Sequence, residues 1–224
     1  MLIYVFFVLV GTFDLGNSFQ GLEIINEFQF LGSQISNEGS CEGEIRRRIA
    51  IAKSAMSKLD KIWKDRGVSN STKIKLVRSL VHSIFLYAAE TWTIKAAERR
   101  KIDAFEMWCW RRMLRIPWTA RRTNESIRRE LCLDGLTLAN MCTRRILQFF
   151  GHVVRGNEDS LERLVVIGNL EGKRGRGRSP TRWTDQVKTA AGTSVVGALR
   201  AAQSRESWRR LVASTRVTTL SNEE

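Results

Sequence analysis

Apolar positions recur at helical spacing along most of this chain. Ile45, Ile49, Ala52, Met56, Leu59 and Trp63 follow at steps of four, three, four, three and four, which predicts one long amphipathic helix. Ser69 or Ser71 can cap a second helix, with Ile74, Val77, Val81, Ile84 and Phe85 facing inward and Tyr87 closing its last turn. A third is predicted over residues 96–116, with Ile102, Phe105, Cys109, Met113 and Ile116 as its inner face, until Pro117 stops it. A short helix over 125–131 and a longer one over 137–154 follow, the latter striped by Leu138, Met141, Cys142, Ile146, Phe149 and Val153. A weaker helical stretch covers 161–167. Ser179 and Pro180 read as cap and first position of a helix carrying Trp183, and a last helix is expected over 195–212. Ahead of all these, residues 27–35 alternate apolar Phe28 and Phe30 with polar neighbours, turn at Gly32, and run into the turn cluster SNEGS. The fold class expected is therefore mainly α, with a short N-terminal β-hairpin.

Residues 1–13, MLIYVFFVLVGTF, stand apart. The run is too short for a membrane-spanning helix, which needs about 18 residues, and no Lys or Arg precedes it. It has the length of a signal-peptide core without the basic start, and its β-branched and aromatic content suits a buried strand equally well. The expected compartment is intracellular, nuclear or cytoplasmic, with a secretory signal over residues 1–16 as the alternative.

Charge changes the picture. The 224 residues include 37 Lys and Arg against 23 Asp and Glu, a net charge of +14 with a pI near 10.4. Such an excess attracts phosphate irrespective of sequence and makes binding salt-dependent. With 43% hydrophobic residues, the chain also has material for one or two cores. Cations and aromatics meet in residues 105–126, where Trp108, Trp110 and Trp118 lie among Arg111, Arg112, Arg115, Arg121 and Arg122. Stacking faces beside planar cations suit unpaired nucleic acid; a buried aromatic face backed by a solvated cationic one has the same composition. On the spacing of the third helix, Phe105 and Cys109 point inward, Trp108 lies at the edge, and Trp110, Arg111 and Arg115 face outward. Arg46, Arg47, Arg48, Lys53, Lys58 and Lys64 fall mostly off the seam of the first helix, as a backbone-tracking groove or simply a solvated face. In GNLEGKRGRGRSP the glycines forbid a stable helix, and Lys173, Arg174, Arg176 and Arg178 make a basic loop that binds phosphate or serves as a localisation signal.

Catalytic signatures are missing. Cys41, Cys109, Cys132 and Cys142 form no C-x-x-C pair, and His82 and His152 are far from metal-ligand spacing. The seven aspartates are dispersed, no two are adjacent, and there is no phosphate loop, H-E-x-x-H or nucleophile triad. No catalytic residue, metal site or cofactor is expected.

The succession FQFLGSQISNEGSCEGEIRRRIAIAKSAMSKLDKIW, LVHSIFLYAAETWTI, IDAFEMWCWRRMLRIPWTARRTNES, RRILQFFGHVVR and GKRGRGRSPTRW resembles the C-terminal part of the endonuclease-reverse transcriptase of non-LTR, LINE-like retrotransposons, over residues 22–211. The resemblance implies that Phe30, Leu31 and Gly32 match the primer-grip turn at the end of the polymerase palm. It implies a thumb over residues 42–94 and a helical post-thumb region over 95–156, ending in the G-H-V-V-R box. Residues 157–224 would hold the basic G-R-G-R box, interrupted here by Ser179, and C-terminal helices. Residues 22–41 would be the palm-end hairpin, and 1–21 do not fit the family, as in a truncated copy or a gene start inside the element. The aromatic-Ala-Asp-Asp box has no counterpart, so the Mg²⁺ ions of the parent enzyme have no carboxylates here. The implied function is a catalytically incomplete, nucleic-acid-binding fragment that grips RNA, DNA or primer-template. The site residues expected are Arg46, Arg47, Lys53, Trp110, Arg111, Arg112, Arg115, Arg121, Arg122, Lys173, Arg174, Arg176 and Arg178. Self-association through a palm-facing surface follows as well, whereas a small-molecule ligand or a membrane partner does not. A secreted or tethered helical protein derived from the fragment, or a pseudogene product without function, is the alternative.

Overall fold

The computed structural model describes residues 27–36, 39–133, 135–158, 160–167 and 181–215. The expected apolar segment 1–21, the Lys173 to Arg178 loop and the Ser179–Pro180 cap lie outside the described residues. The chain divides into two units: a terminal unit of residues 1–44, 90–94 and 143–224, and a central unit of residues 45–89 and 95–142.

The hairpin belongs to the terminal unit. Strands β1 (Glu27–Phe30) and β2 (Ser33–Ser36) pair antiparallel with Phe30 opposite Ser33, leaving Leu31 and Gly32 as a two-residue loop. Both have positive φ, 45° and 79°, as a turn that follows the strand twist requires. Glycine adopts this freely; leucine does so under strain, and its side chain stands exposed at the tip. The Gln34 amide donates to buried Glu44 at 2.9 Å, fastening β2 to the start of α1 (Glu42–Lys58).

Five further helices carry the terminal unit: α6 (Leu138–Val154, from Thr143 onward), α7 (Leu161–Ile167), α8 (Trp183–Ala191), α9 (Val195–Gln203) and α10 (Arg205–Ser214). Its core joins Leu147, Phe150 and Val154 of α6 to Val187, Ala198, Ala202, Trp208 and Val212. The single helix expected over 195–212 is two, because Ser204 leaves helical geometry and its hydroxyl accepts from the Ser207 amide at 3.3 Å. The described start of α8 is capped by Arg182, whose amide donates to Asp185 at 2.8 Å. The G-H-V-V-R box is structural. A Cβ on Gly151 would lie 2.4 Å from the Trp208 indole, so only glycine lets that ring approach, and the indole Nε1 then donates to the Leu147 carbonyl at 2.8 Å. Arg155 donates to the Ala202 carbonyl at 2.7 Å. The Trp of the G-R-G-R box is also an anchor: Trp183 donates to the Glu90 carbonyl at 2.9 Å, and Gln186 holds Ile94 N and Trp92 O, binding residues 90–94 into this unit.

In the central unit the first seam is as expected at Ile45, Ala52, Met56 and Trp63, all buried, but the helix is interrupted at Leu59 and resumes as α2 (Asp60–Lys64). The Trp63 indole donates to the Met56 carbonyl, and the buried Lys73 ammonium donates to the Trp63 and Asp65 carbonyls, at 3.1 and 2.7 Å. Lys73 therefore closes a helix end rather than facing solvent. Ser69 caps α3, which runs through Asn70–Leu76, a π-helical Val77–His82 and Ser83–Phe85. Ser79 and Ser83 donate to the carbonyls four residues back, at 2.8 and 2.5 Å, which loosens the backbone ladder where the widened turn forms. Helix α4 (Ala96–Met113) and α5 (Asn124–Glu130) complete the unit.

Candidate nucleic-acid interface

The positive excess belongs to one unit. By sequence the central unit has 22 Lys and Arg against 8 Asp and Glu, and the terminal unit 15 against 15, so the net +14 of the chain is that of the central unit. What those cations can do depends on which are engaged and what holds them.

Helix α4 ends earlier than residue 116. Leu114 closes it, Arg115 turns left-handed at φ 56°, the Ile116 amide donates to Arg111 O at 2.9 Å and the Arg115 amide to Arg112 O at 3.1 Å. This is the paired C-terminal closure in which glycine usually takes the left-handed place. Pro117 then begins a single 3-10 turn, Trp118–Ala120, closed by a second left-handed arginine, Arg121 at φ 45°. A non-glycine residue held left-handed costs about 1 to 2 kcal/mol, and two within seven residues are a strained loop kept by its surroundings.

Those surroundings are identifiable. The Arg111 guanidinium donates to the Arg122 carbonyl and to Asn124 Oδ1, both at 2.8 Å, spanning the loop from its base. Thr123 caps α5 by accepting from the Ser126 amide at 3.2 Å. Arg128 of α5 pairs at 3.2 Å with the buried Glu106 of α4, which also accepts a hydrogen bond from the Trp110 indole Nε1 at 3.4 Å. Burial raises the Glu106 carboxyl while the Arg128 charge pulls it back. The loop is thereby fixed at both ends and presents Trp118, 95% exposed, with Arg115 and Arg121 beside it.

The expectation that Trp110 faces a ligand is corrected. Trp110 is 1% exposed and meets His82 edge-on, ring centres 5.3 Å apart. Helix α4 is covered on more than its apolar stripe: Glu106, Met107 and Trp110 are buried together with Ile102, Phe105, Cys109 and Met113. Of the seven tryptophans, Trp118 is the exposed one. Its signal in the sequence was a tryptophan placed directly after Pro117, outside any helix, among Thr119, Ala120, Arg121 and Arg122.

The other expected residues are held in different ways. Arg112 and Arg115 stand exposed near Asp60: Arg112 pairs with it at 3.4 Å and Lys64 at 2.5 Å. The Asp60 carboxyl is held below its usual range, first by the Lys64 hydrogen bond, with burial opposing and the charges of Lys64, Arg112 and Arg115 adding. Arg121 is exposed at the loop end, Arg122 pairs with Glu130, and Arg111 is the brace just described. On α1, Lys53 lies over the Trp108 ring at 5.2 Å, and Arg46 and Arg47 are exposed and half-buried respectively. Neighbouring Arg48 is buried over the Tyr87 ring at 4.3 Å. Phe30, Leu31 and Gly32 belong to the terminal unit, at the hairpin turn. Lys173, Arg174, Arg176 and Arg178 lie outside the described residues.

Among the described residues no group of three or more His, Cys, Asp or Glu is placed to hold a metal ion, and no helix is long and apolar enough to cross a membrane. No family model matches the chain, and no solved structure matches it. It is similar to a transposon-derived protein of Caenorhabditis elegans, 26% identical over 170 residues, which is 75% of this chain and 61% of that protein. The likeness points to a transposon origin for the sequence.

Proposed function

We propose that this chain is a nucleic-acid-binding fragment of a non-LTR reverse transcriptase, related to its thumb and post-thumb regions, that grips primer-template or single strands without performing chemistry on them. The observation that carries the reading is the concentration of 22 cations against 8 carboxylates in the helical central unit. A surface of that sign releases counterions from a phosphate backbone and needs no base recognition to bind. The transposon-derived relative supports the origin, and the primer-grip, thumb and G-R-G-R resemblances supply the finer identity. We assign no catalytic step to the chain, because phosphoryl transfer requires carboxylates converging on metal ions and the sequence has no Asp-Asp pair.

Fluorescence anisotropy of the full chain with a labelled RNA–DNA primer-template, a single strand and heparin, across a salt series, tests this. The expected result is tighter binding to both nucleic acids than to heparin, with a log-log salt slope of several phosphates at about 0.9 each on duplex and about 0.7 on single strands. Equal binding to all three would reduce the protein to a generic polycation. In a primer-extension assay with Mg²⁺ or Mn²⁺ the chain should incorporate nothing; robust incorporation would overturn the non-catalytic part.

A further inference from the structure

We propose that Lys64, Arg112 and Arg115 form a phosphate seat that Asp60 fills in the free protein, and that this seat and Trp118 together take one nucleotide of a single strand. The proposal rests on the nucleic-acid reading above and deepens it: the grip contains a subsite for unpaired nucleotides, and the protein carries its own competitor for it.

Three observations lead there. Lys64 and Arg112, from α2 and α4, both contact one carboxylate at the surface, 34% exposed, at 2.5 and 3.4 Å, and Arg115 stands exposed three residues after Arg112, past the end of α4. Surface ion pairs add little to stability, so the meeting of Lys64 and Arg112 on Asp60, with Arg115 near enough for its charge to act there, is poorly explained as a brace. A carboxylate held by several cations has the charge and acceptor geometry of a phosphate oxygen pair. Next, Trp118 follows Arg115 by three residues, at most about 11 Å along the chain. Long side chains on that backbone reach a phosphate and its own base together. Finally, the backbone on either side of Trp118 is strained, at Arg115 and at Arg121, and braced by Arg111, Thr123 and the Arg128–Glu106 pair, although nothing in the core requires Trp118 there. Strain maintained around an exposed aromatic marks a prepared surface.

The ligand class follows from the geometry. An indole can stack only on a base whose face is open, and bases inside a duplex already stack on each other. The subsite therefore favours single-stranded DNA or RNA over blunt duplex, and it does so without reading sequence, because every base offers a π-face.

The test uses the full chain and three labelled probes: oligo(dT), oligo(rU) and a blunt DNA duplex of equal phosphate number. Trp118→Ala should weaken binding to both single strands by about 5- to 100-fold, the range for loss of one stacked base, and leave duplex binding within twofold. Trp118→Phe should recover most of the loss. Asp60→Asn should tighten single-strand binding severalfold and steepen its salt slope by about 0.7, one more phosphate neutralised. Acrylamide quenching of tryptophan fluorescence, dominated by the exposed Trp118, should fall when oligo(dT) binds. Thermal melts of each variant should match the wild type. Equal losses on duplex and single strand, or unchanged binding in both Trp118→Ala and Asp60→Asn, would overturn the subsite while leaving the general grip in place. A wild-type chain that binds none of the probes overturns both. Comparable effects on dT and rU support the shared chemistry, and an effect confined to one of them narrows the ligand to DNA or to RNA.

Discussion

Arg155 and Arg115 each stand just beyond the end of a long helix, one in each unit, and they are used in opposite ways. Arg155 turns onto the Ala202 carbonyl, as Arg144 does onto Ala213 and Arg163 onto Val154, so that arginines of the terminal unit close backbone acceptors left open at helix ends. Arg115 adopts a left-handed backbone and stays exposed beside an exposed tryptophan. Tryptophans divide in the same way. Trp183 and Trp208 pack against Phe150 and donate to carbonyls, whereas Trp118 contributes nothing to a core. Arginine and tryptophan content thus does not by itself mark a binding surface; what counts is whether the group has been satisfied inside the fold.

The comparison is broken most forcefully at its tryptophans. Trp208→Ala should cost about 3 to 5 kcal/mol in urea unfolding, as for other buried aromatics, while the folded protein binds oligonucleotides as before. Trp118→Ala should change stability by less than about 0.5 kcal/mol. If Trp208→Ala weakens binding in the folded state, the division of labour between units is wrong. Gly151→Ala tests the same contact from the other side: the added methyl should cost about 1 to 3 kcal/mol through overpacking.

Acid sharpens the picture of the central unit. His82 is 2% exposed, and neither ring nitrogen has a hydrogen-bond partner. Burial lowers its pKa to about 4, with the Arg78 charge adding. Because the unfolded value is about 6.5, the unfolded chain binds the extra proton first. The fold should therefore keep this stability above pH 6.5 and lose about 3 kcal/mol as the pH falls toward 4. Glu106 and Asp103, whose carboxyls are raised by burial, act with the opposite sign and favour the fold on acidification. Urea midpoints of wild type and His82→Phe at pH 7 and pH 4.5 isolate the histidine: the variant should lose less on acidification.

A smaller effect separates strain from charge. Arg121→Gly should leave stability unchanged or raise it by about 1 kcal/mol, since glycine accepts φ 45° without penalty, and it should weaken nucleic-acid binding. A loss of stability instead would make Arg121 a structural residue. Smallest of all, neutralising Lys173, Arg174, Arg176 and Arg178 should flatten the salt slope by less than neutralising Arg112, Arg115 and Arg121 does, if the central unit carries the grip. The reverse order would move the main phosphate contacts to residues 173–178.

Much of the helical layout was legible. The seams of α1, α4 and α6 were readable because apolar residues at steps of three and four have a single buried solution; the α3 cap was readable only as Ser69 or Ser71, since either serine precedes a helical turn, and the Thr72 amide decides for Ser69. Breaks at Leu59 and Ser204 were not, since neither carries a proline or glycine and both depend on how the following helix packs. Of the site, the arginine-rich segment stood out by composition. The choice of Trp110 over Trp118 failed because periodicity marks one stripe of a helix, and α4 is covered on additional sides. Lys64 was legible only as one of the cations off the seam of the first helix, and its pairing with Asp60 carried no signal, because an acid four residues before a lysine is ordinary on any helix.

The sequence by itself determined a basic, mainly helical chain with a short hairpin turning at Gly32, the approximate extent of most helical stretches, and a segment where arginines and tryptophans gather. These are local properties, set by spacing, capping and charge along the chain. Tertiary structure alone decided which tryptophan is buried, which arginines are consumed as helix caps, and that the whole positive excess falls in one unit. Those outcomes depend on which surfaces of each helix acquire neighbours, a long-range matter that neither periodicity nor composition encodes.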